Sequence, residues 1–287
     1  MIRLLAAAVL MLAAPAVAAP GASPAALFAD STSVVRDRFD VEIIGRGPDV
    51  VLIPGLASSK ETWRATAERL RGRFRLHIVQ VAGFAGAPPR GNATGAFFDP
   101  VVTALDAYLA TLKAPVVIGH SLGGTLGLAL AQRHPEHVAK LLIVDALPFY
   151  GVLMGGPAAT AASVAPIAAQ MRGQTAPMPE PMARAMMSQM VTAPGDLDRV
   201  VGWSLNSTPS VVGSAMADDM TADLRPGLAA MTTPVTVLYE TVLEEPMKTG
   251  YAPMPHKTLI AMPDARHFIM YDQPARFATE VDAFMAR

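Results

Sequence analysis

The sequence contains 287 residues, of which 52% are hydrophobic and 16% are charged, and its formal net charge at pH 7 is −1. This length and composition fit one large α/β domain with room for an inserted subdomain, and they exclude the strongly basic surface on which nucleic-acid binding depends. The sequence has no cysteine, which excludes disulfides and thiolate metal sites, and no group of His, Asp and Glu has the spacing typical of metal ligands, so we expect neither a metal nor another cofactor.

The N-terminus has the pattern of a cleavable signal peptide over residues 1–18. Arg3 supplies the positive charge, residues 4–14 form the apolar run, and residues 16–18 (Ala-Val-Ala) form a small-x-small cleavage site. The run is too short for a stable membrane span. A protein without cysteine has no thiol that an oxidising compartment could convert to a disulfide. We therefore expect a periplasmic or secreted protein, with a buried N-terminal helix as the alternative.

The next part of the chain predicts the first strands and helices of a sheet domain. Apolar and charged side chains alternate over residues 34–44, which predicts a half-exposed strand in an edge hairpin that turns near residues 45–47. Residues 49–53 predict a fully buried strand. Asp99 followed by Pro100 predicts the cap and first turn of a helix that runs to about residue 112.

The sequence around Ser121 predicts a strand, a sharp turn and a helix, an arrangement called the elbow below, and this arrangement indicates the chemistry of the chain. The apolar run before Gly119 predicts the strand, and the run from residue 125 to 134 predicts the helix. The turn is so tight that a β-carbon at Gly119 or Gly123 would collide with neighbouring backbone. This geometry holds a serine in strained backbone conformation with its hydroxyl exposed, and the N–H of Leu122 points at an oxyanion formed beside it.

The pattern changes over residues 147–231, where strand signals disappear and methionines gather. Eleven of the 17 methionines lie between residues 150 and 250. We expect a helical cap inserted between two parts of a core domain, residues 27–146 and 232–287, with helices at residues 181–191, 196–206 and 209–220. A Met-rich inner face would offer an adaptable apolar surface to a substrate, and the alternative is that most of these methionines fill a loosely specified core.

Strands and helices alternate through the rest of the chain, which predicts βαβ units and a mainly parallel sheet. The further strands are predicted at residues 75–81, 138–144, 234–239 and 257–262, and the further helices at residues 60–71 and 274–285.

The layout resembles the α/β-hydrolase fold family over nearly the whole mature chain. The resemblance is carried by Pro54-Gly55-Leu56 after one strand, by residues 119–124 (Gly-His-Ser-Leu-Gly-Gly) at the elbow, and by residues 264–268 (Asp-Ala-Arg-His-Phe) after the last strand. It implies a mainly parallel sheet flanked by helices and a covalent serine mechanism, with nucleophile, acid and histidine in that chain order.

A serine hydroxyl is hardly ionised near neutral pH, so the chemistry requires a base beside Ser121. His267 is the histidine that follows the carboxyl end of a predicted strand, from which a loop can reach over the serine, and we expect it to be the base. The other five histidines lie within a strand, beside the serine, at the end of the elbow helix or at the far end of the last strand: His77, His120, His134, His137 and His256.

The position of the acid departs from the usual pattern of the family. The acid is expected three to five residues after the strand at 234–239, but those positions hold Thr, Val and Leu at residues 241–243. Asp145, directly after the preceding strand, is favoured, because some members of the fold place their acid there. Glu244 is the first alternative, and Glu240 and Glu245 come after it.

These residues predict a serine hydrolase that forms an acyl-enzyme on Ser121. The N–H groups of Leu56 and Leu122 are the expected oxyanion donors. We expect a small-molecule carboxylic ester with an apolar acyl or alcohol part as substrate, no nucleic-acid partner, and an oligomeric state that the sequence leaves open. Two alternatives remain: amide, thioester, carbon–carbon or perhydrolase chemistry on the same residues, and a catalytically silent exported binding protein.

Overall fold

The computed structural model describes residues 23–287, so the predicted signal peptide at residues 1–18 lies outside the described residues. Eight strands form one sheet in the order β1-β2-β4-β3-β5-β6-β7-β8. The strands are β1 (Thr32–Val35), β2 (Phe39–Gly45), β3 (Asp49–Ile53), β4 (Arg75–Val81), β5 (Val116–His120), β6 (Lys140–Val144), β7 (Val235–Glu240) and β8 (Lys257–Met262).

Eleven α-helices flank the sheet or lie between its strands in the described part of the chain. They are α1 (Arg64–Leu70), α2 (Phe98–Leu109), α3 (Leu122–Arg133), α4 (Val152–Gly155), α5 (Ala161–Arg172), α6 (Glu180–Met187), α7 (Pro194–Leu205), α8 (Pro209–Thr221), α9 (Glu244–Tyr251), α10 (Ile269–Asp272) and α11 (Pro274–Ala286). Between residues 23 and 287, no helix combines the length and the apolar character that crossing a bilayer requires.

The central strands are buried on both faces, as parallel strands between two helical layers must be. Every residue of β3 is buried, and so is all of β5 and β6 except the first residue of each. From β4 to β8 the neighbouring strands pair in parallel, while β1–β2 and β2–β4 pair antiparallel. The uniformly apolar sequences of these strands match this environment, and the predicted α/β fold class with a mainly parallel sheet is confirmed.

The first hairpin differs from its prediction. The hairpin joins β1 to β2 and turns at residues 36–38; the turn predicted near residues 45–47 is wrong, because β2 pairs with β1 and β4 and not with β3. The charged face of β2 is buried instead of half-exposed, because residues 23–31 and Lys60 cover it. The Glu42 carboxylate accepts hydrogen bonds from the backbone N–H groups of Leu27 and Phe28 and pairs with Lys60 at 2.6 Å. Burial by itself raises the pKa of Glu42, but these partners outweigh burial and lower the pKa.

The beginning of α2 also differs from its prediction. The helix starts at Phe98, and the backbone N–H groups of Phe97 and Phe98 donate to one carboxylate oxygen of Asp218, at 2.6 and 3.0 Å. Asp99, the predicted cap, lies on the surface and pairs with Arg133. The predicted cap is therefore wrong, because a carboxylate on α8, far along the sequence, satisfies the free N–H groups of this helix.

Five helices, α4 to α8, lie between β6 and β7, inside the insertion predicted at residues 147–231, and we call them the cap helices. The helices α6, α7 and α8 occur where the sequence predicts them. The helices α4 and α5 are not predicted, although Thr160 and Ser163 form a capping box at the start of α5. The exact boundaries between core and cap stay a prediction.

Candidate active site

Ser121 lies at the turn between β5 and α3 with a backbone φ of 52°, a conformation that residues other than glycine rarely adopt. The glycines on either side explain why the turn can be so tight. A β-carbon on Gly119 would lie 2.2 Å from the carbonyl oxygen of Gly123, and one on Gly123 would lie 2.2 Å from that of Ile53. The steric argument made from the sequence for these two glycines is confirmed.

A carboxylate and an imidazole meet at the neighbouring strand ends. Asp145 follows β6 directly, with a φ of 53°, and its side chain is fully buried. One carboxylate oxygen lies 2.7 Å from Nδ1 of His267, and the other accepts the backbone N–H of Glu240 at 2.9 Å. This second hydrogen bond fixes the carboxylate, so that it orients the His267 ring and holds the proton on Nδ1 in the neutral tautomer.

The electrostatic environment of His267 favours its protonated form. Burial lowers the pKa of His267, but the hydrogen bond and charge of Asp145, together with the charges of Glu240 and Asp219, raise it above its ordinary value. Burial and the Asp145 charge in turn raise the pKa of Glu240 to about 7. The charges of three carboxyl groups therefore act on one imidazole.

Ser121 and His267 line the same cavity. Among the hydrogen bonds of the described residues, none joins the serine hydroxyl to the imidazole. In enzymes without bound substrate, the contact between nucleophile and base is often looser than in the reacting complex.

His120, beside the serine, also contacts the His267 loop. Its buried ring donates from Nε2 to the backbone carbonyl of His267 at 3.0 Å, and the two rings lie 4.6 Å apart. Burial, and then the charge of His267, hold the pKa of His120 well below its ordinary value. Since a carbonyl can only accept, the neutral ring carries its proton on Nε2. His120 was expected only to neighbour the serine in the turn, and its spacing gives no sign of this contact.

The other acidic alternatives occupy different places. Glu244 lies at the start of α9, where it pairs with Lys248 at 2.6 Å, and Glu245 is exposed beside it. Neither residue lines the cavity, whereas Glu240, the last residue of β7, does. Of the four carboxylates considered from the sequence, Asp145 is the one bonded to the imidazole.

The two expected oxyanion donors lie on either side of Ser121. Leu122 is the first residue of α3, so its N–H has no acceptor within the helix. Leu56 lies in the turn after β3 and lines the cavity. A β-carbon on Gly55 would lie 3.1 Å from that of Ser121, so this turn approaches the serine as closely as a glycine allows.

The cavity has a volume of about 340 Å³, within the range of small-molecule sites. It lies between the strand ends and the cap helices, and the cap contributes mainly apolar side chains: Met186, Met187, Met190, Val200, Val212 and Met216. Four of these are methionines, so part of the Met-rich segment lines the cavity, as the sequence suggested. Asp219, on α8, is the acidic side chain that the cap adds to this lining.

Within residues 23–287, two groups of three side chains bring together atoms that could bind a metal ion, with all the atoms of a group within 4.8 Å of one another. One group is Asp145, Glu240 and His267, and the other is Asp106, His134 and His137. The second group lies away from the cavity and is joined by a hydrogen bond between His137 and Asp106 at 2.6 Å. Both groups combine residues from different elements, so spacing along the sequence could not reveal them.

Comparison with known proteins identifies the family. The sequence profile of the alpha/beta hydrolase family matches residues 50–280. The chain belongs to the α/β-hydrolase family. The pimeloyl-(acyl-carrier protein) methyl ester esterase of Aliivibrio salmonicida is 27% identical over 251 residues, which cover 84% of this chain and 93% of the relative. The esterase of the same name from Nitrosomonas europaea is 26% identical over 259 residues, with 85% and 98% covered.

The structural comparison agrees at the level of the fold. The crystal structure of a hydrolase from Pseudomonas aeruginosa PA01 superposes on this α/β-hydrolase with a TM-score of 0.71, covering 90% of this chain and 99% of that one. The sequence identity is 19%, so this likeness supports the fold of the α/β-hydrolase.

Two site residues of this α/β-hydrolase were undervalued or missed in the sequence. Glu240 ranked behind Asp145 and Glu244 among the expected acids, yet it lines the cavity. Asp219 carries no sequence signal, because it lies in a helix whose orientation depends on packing against the core. The close approach of α8 to Gly83, in the loop after β4, illustrates that packing, because a β-carbon on Gly83 would lie 2.8 Å from the Val211 side chain.

Proposed function

We propose that this α/β-hydrolase hydrolyses carboxylic esters of small molecules through an acyl-enzyme formed on Ser121. The observation that carries the proposal is the hydrogen bond of 2.7 Å between His267 and the buried Asp145, beside a cavity that also exposes the strained Ser121. Serine, a buried carboxylate and histidine, in this order along the chain, are the parts of a nucleophilic triad.

In the first half of the reaction, Ser121 attacks the ester carbonyl. The Nε2 atom of His267 accepts the proton from the serine hydroxyl, and the Asp145 carboxylate stabilises the imidazolium that forms. The N–H groups of Leu56 and Leu122 donate to the developing oxyanion. The tetrahedral intermediate then collapses, the bond to the alkoxy group breaks, and His267 returns the proton to the leaving alcohol.

In the second half, water replaces the alcohol. His267 takes a proton from the water molecule as it attacks the acyl-enzyme, and the same two N–H groups bind the second oxyanion. Collapse of this intermediate releases the carboxylic acid and returns the proton to Ser121. Each proton that His267 accepts is given back, so the enzyme ends unchanged.

The relatives and the cavity support an ester as the substrate. Both curated relatives reported above are named as methyl ester esterases and are matched over nearly their whole length. The mainly apolar cap lining favours an ester with an apolar acyl or alcohol part, because apolar surface removed from water on binding contributes roughly 25 cal/mol per Å².

A fluorophosphonate probe and a panel of p-nitrophenyl esters test the proposal. We expect the probe to label the wild-type protein and the esters to be hydrolysed, and Ser121→Ala to abolish both. If the probe labels the protein but no ester of any acyl-chain length is hydrolysed, amide, thioester, carbon–carbon or perhydrolase chemistry is favoured. A folded wild-type protein that is neither labelled nor active would contradict the proposal and favour a silent binding protein.

A further inference from the structure

The inner face of the cap carries one carboxyl group in otherwise apolar surroundings. Asp219 on α8 is 7% exposed and lines the cavity beside Val212 and Met216 of the same helix. Its Oδ1 atom is buried and has no hydrogen-bond partner among residues 23–287. A buried polar atom without a partner destabilises a protein, so its presence in a cavity wall points to a ligand that supplies the missing partner.

The neighbours of Asp219 place this carboxyl group close to the reacting atoms. The Thr125 hydroxyl lies beside it, and the charges of Asp219 and His267 influence one another. The N–H of Thr125 donates to the carbonyl oxygen of Ser121 at 3.1 Å, one helical turn away. Ser121 and Asp219 also line the same cavity, so an ester bound at Ser121 lies within reach of the Asp219 carboxyl group.

The chemistry of the position selects the ligand group. Among residues 23–287, no arginine or lysine lines the cavity, and His267 is the lining residue whose positive charge acts on Asp219. Tyr150 also lines the cavity. Burial, and then the Asp219 charge, raise the pKa of its phenol, so the hydroxyl stays protonated. Burial raises the pKa of Asp219 to about 7, so the group is mostly ionised at pH 8. In that form it accepts hydrogen bonds and repels anions, so it matches a hydroxyl group on the substrate and opposes a carboxylate there.

We infer that Asp219 is a specificity-determining residue that accepts a hydrogen bond from a hydroxyl group of the ester substrate, a few bonds from the scissile carbonyl. The inference rests on the proposed function, since it adds the substrate class to the same site. A plain apolar ester leaves the buried Oδ1 atom of Asp219 without a partner, whereas a hydroxy ester supplies one.

Matched ester pairs test this inference. One pair varies the acyl side, methyl 3-hydroxybutyrate (both enantiomers) against methyl butyrate, and the other varies the alcohol side, 2-hydroxyethyl butyrate against propyl butyrate. At pH 8 we expect the wild-type kcat/KM to be at least about tenfold higher for the hydroxy ester of one pair. In Asp219→Leu this ratio should fall to about one, mainly through loss of activity on the hydroxy ester.

Two controls separate the possible failures. Met216→Leu changes the same wall of the cavity without a polar group and should keep the wild-type ratio. Fluorophosphonate labelling and thermal unfolding show whether Asp219→Leu is folded with a reactive serine. If that variant does not fold, Asp219→Asn, which keeps the shape and removes the charge, should lower the ratio instead.

Three results would overturn the inference. The first is a wild-type ratio near one for both pairs in a protein that is labelled and hydrolyses the plain esters, which leaves the proposed function intact. The second is a folded Asp219→Leu that retains the wild-type preference. The third is a wild-type protein that is neither labelled nor active on any ester, which removes the proposed function and the inference together.

Discussion

At the scale of single residues, the site contains two carboxyl groups near one imidazole, and one of them is bonded to it. Asp145 and Glu240 come from adjacent strands, and both lie near His267, but only Asp145 forms a hydrogen bond with it. The Glu240 backbone N–H donates to Asp145, so one residue helps to hold the other. The assignment of catalytic roles to these residues stays a prediction, and two measurements test it.

The first prediction concerns the acid. Asp145→Asn removes the charge that stabilises the imidazolium and allows the wrong tautomer of His267, so we expect kcat to fall by about 10³–10⁴-fold. Glu244→Gln is the matched control, because Glu244 pairs with Lys248 outside the cavity, and its kcat should stay within about twofold of wild type. Steady-state kinetics on a p-nitrophenyl ester measure both. A large loss in Glu244→Gln with an active Asp145→Asn would reassign the acid.

The second prediction concerns pH dependence. His267 must be neutral to accept the serine proton, so activity rises with pH as His267 loses its own proton. The Glu240 charge raises the pKa of His267, and removing this charge in Glu240→Gln therefore lowers that pKa. We expect the acid limb of the kcat/KM profile to move to lower pH. Glu245→Gln, exposed and outside the cavity, should leave the limb in place, and a shift to higher pH in Glu240→Gln would contradict the electrostatic argument.

At the scale of elements, the contacts between helices of the core and the cap decide features that local sequence does not. The start of α2 depends on Asp218 of α8, whose other carboxylate oxygen pairs with Arg172 of α5. One side chain thus joins a core helix to two cap helices. The elbow between β5 and α3 has a stronger local signal, since its glycines and serine lie within five residues, although the backbone of Ile53 at the end of β3 also requires a glycine at residue 123.

The third prediction tests this junction. Asp218→Ala leaves two N–H groups of α2 without their acceptor and removes the pair with Arg172, so we expect the free energy of unfolding to fall by about 1–3 kcal/mol. Asp99→Ala, at the cap position expected from sequence alone, should change it by less than about 0.5 kcal/mol, because Asp99 is exposed. Urea denaturation measures both variants. Equal losses in the two would indicate that Asp99 caps the helix in solution.

At the scale of the whole molecule, the parallel sheet gathers distant residues at one edge. Ser121, Asp145 and His267 follow β5, β6 and β8, and Glu240 ends β7, so all four lie at the carboxyl ends of neighbouring parallel strands. Ligands of open α/β sheets bind at this edge. The cap helices then cover it and supply most of the apolar wall of the cavity.

The fourth prediction also concerns the whole chain. The apolar run and the small-x-small site at residues 16–18 predict export with cleavage after Ala18. When the full chain is expressed in a Gram-negative host, we expect the protein in the periplasmic or extracellular fraction, and N-terminal sequencing should give Ala19 as the first residue. Deletion of residues 2–18 should keep it in the cytoplasm. An uncleaved chain in the cytoplasmic fraction would favour the buried-helix alternative.

The sequence by itself determined the features that depend on neighbours a few residues apart. The elbow around Ser121 was predictable from the glycine-serine-glycine pattern within five residues, the buried strands from apolar runs, and α6 to α8 from their local patterns. The α/β-hydrolase fold was predictable because these local signals agree with one another along nearly the whole chain.

The tertiary structure alone decided which distant groups meet. It selected Asp145 over Glu244 as the partner of His267, covered the charged face of β2, capped α2 with Asp218, and turned Asp219 into the cavity. Each of these contacts joins residues from separate elements, and its energy depends on distances of a few ångströms that only packing fixes. Those distances cannot be read from the local sequence, because an interaction depends on how close two side chains are in space, and residues far apart in the chain can be in contact.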